Sequence, residues 1–273
     1  MVDGWRAQGL RVGFVPTMGA LHDGHMKLVE NAKDRCDRVV TSIFVNPTQF
    51  APGEDLDTYP RTLDADLEKL EAAGCHAAWL PQAEEIYPFG LPATRVEVPT
   101  LGQLLDGGPR PHFFGGVTTV VSRLFNHVRP DLAFFGEKDF QQLVIIRRMT
   151  ADLGFDIEIV GVATERDPDG LALSSRNAYL SVEARLLASQ LSAVLNRAAR
   201  RISCGTIVGE ALAEAKLTLA SMEFAPVDYV DLCDADTLES LTALRPGRPA
   251  RIFGAARLDG TRLIDNVAVP SLD

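Results

Sequence analysis

The sequence predicts an α/β protein: a Rossmann-like, doubly wound parallel sheet followed by a smaller C-terminal α+β domain. Strand-like apolar runs alternate with helix-like patterns through roughly the first 165 residues. Such alternation favours a mostly parallel sheet with helices on both faces. The order then changes to two amphipathic helices and three strand-like runs. We therefore expect one domain over residues 1–165 and a second over residues 166–273.

Apolar runs between polar turns predict five strands in the first domain. They are Val12–Val15, Val39–Val45, Ala77–Leu80, Leu132–Phe135 and Ile157–Val162. Between them, apolar residues recur at the spacing of one helix face. This spacing predicts helices over Met26–Cys36, Leu63–Ala73, Val117–Val128 and Phe140–Leu153. The segment from Gly107 to Pro111 is the one strongly broken loop of this domain.

The second domain has a different pattern. Two amphipathic helices are predicted over Glu183–Ile202 and Val208–Met222. Three strands of a small antiparallel sheet are predicted over Val227–Leu232, Ala250–Leu258 and Leu263–Val269. Between the last two strands, Gly260-Thr261 predicts a hairpin turn.

Composition excludes several classes of protein. A net charge of −10 and a pI near 5.0 argue against a broad nucleic-acid surface, which needs a basic face. There is no apolar run of about 18 residues, so no membrane span is expected. The amino terminus lacks the apolar core of a signal peptide. The cysteines at 36, 75, 204 and 233 are far apart and predict no zinc site. We expect a cytoplasmic protein with no nucleic-acid or membrane partner.

The turn after the first predicted strand carries the strongest functional signal. It runs from Pro16 to His25 and holds His22 and His25 close to the start of a predicted helix. Free backbone N–H groups and the positive end of the helix dipole favour an anion there. Histidine adds a donor whose charge changes near neutral pH. The turn therefore predicts a nucleotide phosphate site, although similar turns occur in α/β proteins that bind nothing there.

Two further strands of the predicted sheet end in polar residues. The second runs into Asn46–Phe50, and the fourth into Gly136–Asp139. Ligands of open α/β sheets bind beyond the carboxyl ends of the strands. Gln49 either orients a polar substrate or is a loop amide bonded to backbone. Lys138 can meet a phosphate, and Asp139 can cap a helix or bind a ribose hydroxyl.

Two other polar segments leave alternatives open. Gln141 and Gln142 are about 100° apart around a helix axis, so at most one readily points into a site. Near the domain junction, the run from Asp169 to Asn177 includes Ser174-Ser175-Arg176. Its two hydroxyls and guanidinium suit a triphosphate. The same run also fits a linker with a helix cap.

Taken together and in order, these motifs resemble the pantoate–β-alanine ligase (pantothenate synthetase) family. The match extends from Val12 to Asn266 and includes Tyr59–Thr62, Gly136–Gln142 and Arg262–Asn266. Met18–His25 is similar to that family's version of the HxGH signature of nucleotidyltransferases. Ser174–Arg176 is similar to its counterpart of the mobile Lys-Met-Ser-Lys-Ser-type loop.

The resemblance implies a two-step reaction. Pantoate attacks the α-phosphate of ATP to give pantoyl adenylate and pyrophosphate, and β-alanine then attacks the acyl carbon to give pantothenate and AMP. Mg²⁺ accompanies ATP. The family is typically a homodimer, with a C-terminal lid domain that would keep water from the adenylate.

The resemblance also implies roles for individual residues. Pantoate is held by Gln49 and Gln142, and Gln49 also lies near β-alanine. The residues that act in catalysis are His22, His25, Lys138, Ser174, Ser175 and Arg176. The residues that contact ATP are Met18, Gly19, Ala20, Leu21, His22, Asp23, Gly24, His25, Gly136, Glu137, Lys138, Asp139, Glu165, Leu173, Ser174, Ser175 and Arg176. No residue is assigned to a metal.

Elementary chemistry agrees with such a reaction. A carboxylate is already ionised at pH 7, so the first step needs no strong base. It needs alignment and neutralisation of charge on the phosphates. Two other functions remain open: a nucleotidyltransferase that transfers AMP to a phosphorylated cofactor precursor, and a catalytically silent nucleotide-binding protein.

Three departures from the family pattern bear on the site. Most of the strand and helix that usually precede the region of Trp5 is absent, so either a sheet edge is open or the start site is misassigned. Phe113 stands where the family has histidine, which weakens the loop's contacts or is compensated by His112. Glu165 stands where the family has valine near the adenine; a contact made through backbone would tolerate it.

Overall fold

A five-stranded parallel sheet organises the first part of the chain. The computed structural model describes residues 1–51 and 53–270. The strands are β1 (Val12–Thr17), β2 (Arg38–Ile43), β3 (Ala77–Trp79), β4 (Leu132–Gly136) and β5 (Glu158–Val162). They lie in the order β3-β2-β1-β4-β5, and every neighbouring pair is parallel. The strand order reverses at β1, so the predicted doubly wound α/β class is confirmed.

Seven helices belong to this part of the described chain. They are α1 (Val2–Ala7), α2 (Asp23–Arg35), α3 (Leu63–Ala72), α4 (Ala83–Ile86), α5 (Pro99–Gly102), α6 (Phe113–Val128) and α7 (Phe140–Asp152). Helix α2 packs its apolar side on the sheet, where Val29 and Ala32 are fully buried. Gly13 of β1 allows this close approach, because a Cβ there would lie 2.9 Å from the sulfur of Cys36.

Several element boundaries differ from the sequence prediction, and two of them have a clear physical reason. Strand β2 ends at Ile43 and not at Val45, because the chain turns into a 3-10 turn over Pro47–Gln49. Helix α6 begins at Phe113, four residues before the predicted Val117. Its first turn holds Gly115 and Gly116, which have low helix propensity and so hide the start of the helix from a periodicity argument.

The sheet ends in β3 on one side and β5 on the other. Helix α1 is bound near the amino ends of the strands, where Arg6 donates to the carbonyl of Arg129 and Arg129 pairs with Asp3. The strand order makes β3 and β5 the edge strands and places β1 in the centre of the sheet.

The later part of the chain forms helices and an antiparallel sheet. Its helices are α8 (Val182–Ala188), α9 (Gln190–Ser203) and α10 (Val208–Ser221). Its strands are β6 (Val227–Asp234), β7 (Ala250–Leu258) and β8 (Thr261–Val269), paired in the order β6-β7-β8. Leu195, Leu219 and Ile252 are fully buried in its core.

Two predictions for this part were wrong in detail. The single helix predicted over Glu183–Ile202 is two helices, interrupted at Ser189, whose carbonyl accepts from the N–H of Ala193 and starts α9. The hairpin turn is Asp259-Gly260 and not Gly260-Thr261. Both turn residues have positive φ, 50° and 73°, which aspartate and glycine tolerate and a β-branched threonine does not.

The chain divides into two compact units. The first is Met1–Glu137 with Gln141–Ala163, and the second is Lys138–Phe140 with Thr164–Asp273. The short segment Lys138–Phe140, placed by the sequence prediction in the first domain, thus groups with the second unit. No helix among residues 1–51 and 53–270 combines the length and apolar character needed to cross a bilayer.

Candidate active site

The turn between β1 and α2 has an unusual backbone. Gly19 and Ala20 both have positive φ, 85° and 51°. Alanine rarely adopts this conformation, which costs on the order of 1–3 kcal/mol unless its surroundings hold it. The turn must therefore be fixed by groups outside it.

Asp66 of α3 supplies that support. Its side chain is 1% exposed, and its carboxylate accepts the N–H groups of Ala20 at 2.9 Å and Leu21 at 2.8 Å. Thr62 donates to the same carboxylate at 3.1 Å. Lys69, one helical turn further along α3, donates to the carbonyl of Leu21 at 2.5 Å.

These contacts show that some of the turn's N–H groups, which the sequence predicts to be free for an anion, are already bonded within the protein. The amides of Ala20 and Leu21 point at Asp66, and that of Gly19 donates to the hydroxyl of Thr17 at 3.3 Å. The first amides of α2, those of Asp23 and Gly24, have no acceptor within the helix. The backbone amides without an acceptor inside the helix are thus those at the helix start, where an anion is favoured.

His22 and His25 lie next to each other at the start of α2. Their ring centroids are 4.0 Å apart and the rings are tilted by 40°. The N–H of His22 donates to Nδ1 of His25 at 3.3 Å. A neutral imidazole that accepts at Nδ1 carries its proton on Nε2. His25 can therefore present an N–H donor to an anion at the helix start.

Gln49 is held close to the same turn. It lies in the 3-10 turn after β2 and is 9% exposed. Its amide nitrogen is 3.0 Å from the sulfur of Met18, and its carbonyl accepts from the amide of Asn46 at 3.1 Å. Gln49 is thus bonded to side chains, which corrects the alternative of a loop amide bonded to backbone.

Asn46 organises the surroundings of Gln49. It is 1% exposed. Its carbonyl oxygen accepts from the hydroxyl of Tyr87 at 2.7 Å and from both the N–H and the hydroxyl of Thr48. Its NH₂ donates to Gln49 and to the carbonyl of Gly116 at 3.3 Å. The orientation of Gln49 therefore depends on a buried polar network.

The two neighbouring glutamines of α7 have different surroundings. Gln141 is 5% exposed and donates to the carbonyls of Leu101 at 3.0 Å and Leu104 at 2.7 Å. Its own carbonyl accepts from the N–H of Asp106 at 3.1 Å. Gln141 thus ties the 99–107 segment to α7, while Gln142, about 100° around the axis, is only partly buried.

The segment after β4 crosses from one unit to the other. Gly136 and Glu137 belong to the first unit, and Lys138 and Asp139 to the second. Within the second unit, the side chain of Asn266 donates to the carbonyl of Lys138 at 2.9 Å. The ammonium of Lys138 lies 3.9 Å from the carboxylate of Asp139.

Ser174, Ser175 and Arg176 follow a small hairpin in the second unit. In that hairpin, Leu173 donates to the carbonyl of Glu165 at 3.0 Å. Ser174 caps the next 3-10 turn, Ser175–Tyr179, because its hydroxyl accepts from the N–H of Arg176 at 3.3 Å. The alternative of a capped turn is therefore present, with Ser174 as the capping residue.

Arg166 and Asp265 anchor this hairpin. The guanidinium of Arg166 makes two hydrogen bonds to Asp265, at 2.7 and 2.8 Å, and a third to the carbonyl of Gly170 at 3.0 Å. Asp265 is 5% exposed. The hydrogen bond to Asp265 raises the pKa of Arg166, against the opposing effect of burial. The segment that leads to Ser174 is thus held by a charge-assisted pair.

Phe113, the departure from the family pattern, has a definite contact. The guanidinium of Arg110 lies 3.8 Å from the centroid of its ring. Arg110 also makes two hydrogen bonds to Glu54, both at 2.7 Å. Burial favours the neutral form of Glu54, but hydrogen bonds from Arg110 and from the N–H of Ala51 outweigh it and lower its pKa. Phe113 therefore stacks on the guanidinium of an ion pair.

Sequence reasoning missed Asp66, Asn46 and the Arg166–Asp265 pair. Asp66 is separated from its amide partners by 45 and 46 residues, so no local pattern could reveal the contact. Asn46 carried a signal, because asparagine before a proline turn often bonds its own backbone. No group of three or more His, Cys, Asp or Glu side chains within the described part of the chain could hold a metal ion.

The fold and the histidine-bearing turn define the class: a Rossmann-like α/β protein with a candidate phosphate site after its first strand. A family model described as pantoate-beta-alanine ligase matches residues 1–268. A pantothenate synthetase of Hyphomonas neptunium is 54% identical over 271 residues, covering 98% of this chain and 92% of that protein. One from Maricaulis maris is 55% identical over 268 residues, with the same coverage.

Comparison with solved structures points to the same family. A pantothenate synthetase from Thermus thermophilus has a TM-score of 0.91 and 48% identity, covering 98% of each chain. A pantoate-beta-alanine ligase from Francisella tularensis, complexed with beta-gamma ATP and beta-alanine, has a TM-score of 0.81 and 32% identity, covering 98% of this chain and 95% of that one. The chain belongs to the pantoate-beta-alanine ligase family and is a ligase.

Proposed function

We propose that this ligase condenses pantoate with β-alanine in two steps, through a pantoyl adenylate, and releases pyrophosphate and AMP. The family membership supports the condensation itself. The observation that carries the two-step route is the pair His22 and His25 at the start of α2, next to the amides of Asp23 and Gly24. Such a set of donors suits an α-phosphate that gains charge during attack.

In the first step, a carboxylate oxygen of pantoate attacks the α-phosphorus of ATP. A P–O bond forms there, the P–O bond to the bridging oxygen breaks, and pyrophosphate leaves with the electron pair. The carboxylate is ionised at pH 7, so no base is required. His25 donates to the α-phosphate region through Nε2–H, and His22 assists it. Mg²⁺ enters with ATP as part of the substrate.

In the second step, the amine of β-alanine attacks the acyl carbon of the adenylate. A C–N bond forms, the acyl C–O bond breaks, AMP leaves, and the amine gives up a proton. Gln49 and Gln142 are proposed to hold pantoate, and Gln49 also to lie near β-alanine. The contact of Gln49 with Met18 supports this role, since it joins the proposed pantoate site to the proposed ATP turn.

The remaining ATP assignments rest on the family resemblance. They comprise Met18–His25, Gly136 and Glu137 of the first unit, and Lys138, Asp139, Glu165 and Leu173–Arg176 of the second. Lys138, Ser174, Ser175 and Arg176 would neutralise phosphate charge through charge-assisted hydrogen bonds. The homodimer implied by the family is likewise a proposal, which light scattering during size-exclusion chromatography tests directly.

The experiment that tests this function measures two products separately. With ATP, Mg²⁺ and pantoate but no β-alanine, enzyme in stoichiometric amount should release about one pyrophosphate per site and retain the adenylate. Addition of β-alanine should then give AMP and pantothenate in equal amounts. AMP formation without pantoate would indicate transfer to another acceptor, and no pyrophosphate under any condition would indicate a silent nucleotide-binding protein.

A further inference from the structure

We propose that Asp66 and Lys69 of α3 are positioning residues for the reaction, because together they fix the backbone of the turn that carries His22 and His25. This inference rests on the proposed function of those histidines. Neither Asp66 nor Lys69 belongs to the motifs that carry the family resemblance. They act on the turn from a separate helix.

The two side chains hold opposite kinds of backbone group. Asp66 accepts the N–H groups of Ala20 and Leu21 at 2.9 and 2.8 Å, and Lys69 donates to the carbonyl of Leu21 at 2.5 Å. Residues three apart lie on one face of a helix, so one turn of α3 presents both groups to one peptide segment. Leu21 is thus held at both its N–H and its C=O.

A carboxylate is required at position 66 by this arrangement. Each of its two oxygens accepts one amide of the turn, and a carboxylate has acceptors only. An asparagine would keep the size but turn an NH₂ donor toward one of the two N–H groups. An apolar residue would leave both amides without a partner. Burial of the charge at 1% exposure is tolerated because all of these bonds are made.

The arrangement also selects which donors face the ligand. Gly19 and Ala20 adopt positive φ, and the amides of Ala20 and Leu21 are directed at α3. A Cβ on Gly19 would be 3.2 Å from an Asp66 oxygen, so α3 lies directly against the turn. Asp66 thus takes up the amides of Ala20 and Leu21, while the proposed function assigns phosphate binding to the helix start that follows them, with His22 and His25. Small displacements of such donors cost large factors in rate.

The chain contains matched controls for both residues. Asp234 is also a buried aspartate that accepts two backbone N–H groups, those of Asp236 and Thr237, both at 3.0 Å, but in the second unit. Lys33 also donates to a backbone carbonyl, that of Ala73, at 2.7 Å. Neither contact involves the turn from Gly19 to His22.

The test compares Asp66→Asn with Asp234→Asn, and Lys69→Met with Lys33→Met. All four variants are assayed for pantoate-dependent pyrophosphate release, with thermal unfolding as the fold check. We expect kcat to fall by at least about tenfold in Asp66→Asn and severalfold in Lys69→Met, with the KM for pantoate within about twofold of wild type. The two control variants should keep wild-type kcat, although Asp234→Asn loses thermal stability. The proposal would be overturned if Asp66→Asn and Asp234→Asn had equal kcat values. It would also be overturned if Lys69→Met kept the wild-type kcat.

A second readout does not depend on activity. The chain has five histidines, so the imidazole resonances can be assigned by single substitutions. Those of His22 and His25 should shift in Asp66→Asn and Lys69→Met and stay unchanged in both controls. Unshifted resonances would overturn the positioning role even if the proposed reaction is correct. Shifted resonances in an enzyme without ligase activity would support the positioning role and refute the function.

Discussion

Single residues of the same type have different roles here because their partners differ. Gln141 and Gln142 are adjacent in sequence, yet Gln141 is committed to three backbone groups of the 101–106 segment. Its bonds satisfy buried groups, so its role is structural. Gln142 is on another side of the helix and is proposed to hold pantoate.

The first prediction separates these two glutamines. Gln142→Ala should raise the KM for pantoate far more than the KM for ATP, because it removes a donor to one substrate only. Gln141→Ala should instead lower stability by about 1–3 kcal/mol, since it leaves buried backbone groups without partners. Steady-state kinetics and thermal unfolding of both variants check this. Equal effects of Gln142→Ala on both KM values would remove its assigned role.

The second prediction concerns His25. His25→Ala should lower pantoate-dependent pyrophosphate release by about 10²-fold or more, as for other preorganised donors to a developing charge. Circular dichroism should be unchanged, because the turn is held by Asp66 and Lys69, and the bond that the imidazole accepts from the N–H of His22 is long, at 3.3 Å. Near-normal turnover in this variant would exclude His25 from the mechanism.

At the scale of elements, α6 and the turn that carries Gln49 meet at one glycine. A Cβ on Gly116 would be 2.4 Å from the carbonyl oxygen of Thr48 and 2.8 Å from the Cα of Gln49. Both are backbone atoms and cannot move aside cheaply. The neighbouring Gly115 faces only the flexible side chain of Glu97, at 3.2 Å.

The third prediction uses this pair of glycines. Gly116→Ala should destabilise the protein by about 1–3 kcal/mol through overpacking and displace Gln49, with a loss of pantoate-dependent turnover. Gly115→Ala should stay close to wild type, because alanine favours the helix and the Glu97 side chain can shift. Thermal unfolding and turnover of the two variants give the comparison. Equal behaviour of both would contradict the close approach of α6 to Gln49.

At the scale of the whole molecule, each unit contains a buried thiol. Cys36 lies in the first unit and is 9% exposed, and Cys233 lies in the second and is 1% exposed. Burial raises the pKa of Cys36 to about 11 and that of Cys233 to about 12, from 9.0. Cys204 is exposed. Thiolate is the reactive form, and it is scarce at the two buried sites.

The fourth prediction follows from these thiols. At pH 8, iodoacetamide should label Cys204 in the folded protein, and label Cys36 and Cys233 at least about a hundredfold more slowly. The raised pKa values lower the thiolate fraction, and burial limits access as well. Peptide mass spectrometry after timed quenching measures each site. If Cys233 were labelled as fast as Cys204 without denaturant, the burial of β6 would be contradicted. In denaturant, the labelling rates of the three cysteines should become equal.

The sequence by itself determined the α/β class, the type of nearly every main element and the motifs at the ends of the strands. Hydrophobic periodicity and glycine positions are local properties, and they carry this information directly. Local patterns were weaker at boundaries: the break at Ser189 and the start of α6 at Phe113, just before Gly115 and Gly116, are not visible in the spacing of apolar residues.

Tertiary structure alone decided how the candidate site is supported. Asp66 reaches a turn 45 residues earlier, Asn46 bonds Tyr87 and Gly116, and Arg166 pairs with Asp265 across 99 residues. A hydrogen bond depends on distance and direction in space, and a pattern along the chain contains neither for partners this far apart. Residue types at strand ends therefore predict a ligand site, while the fold determined which of their donors and acceptors are already used.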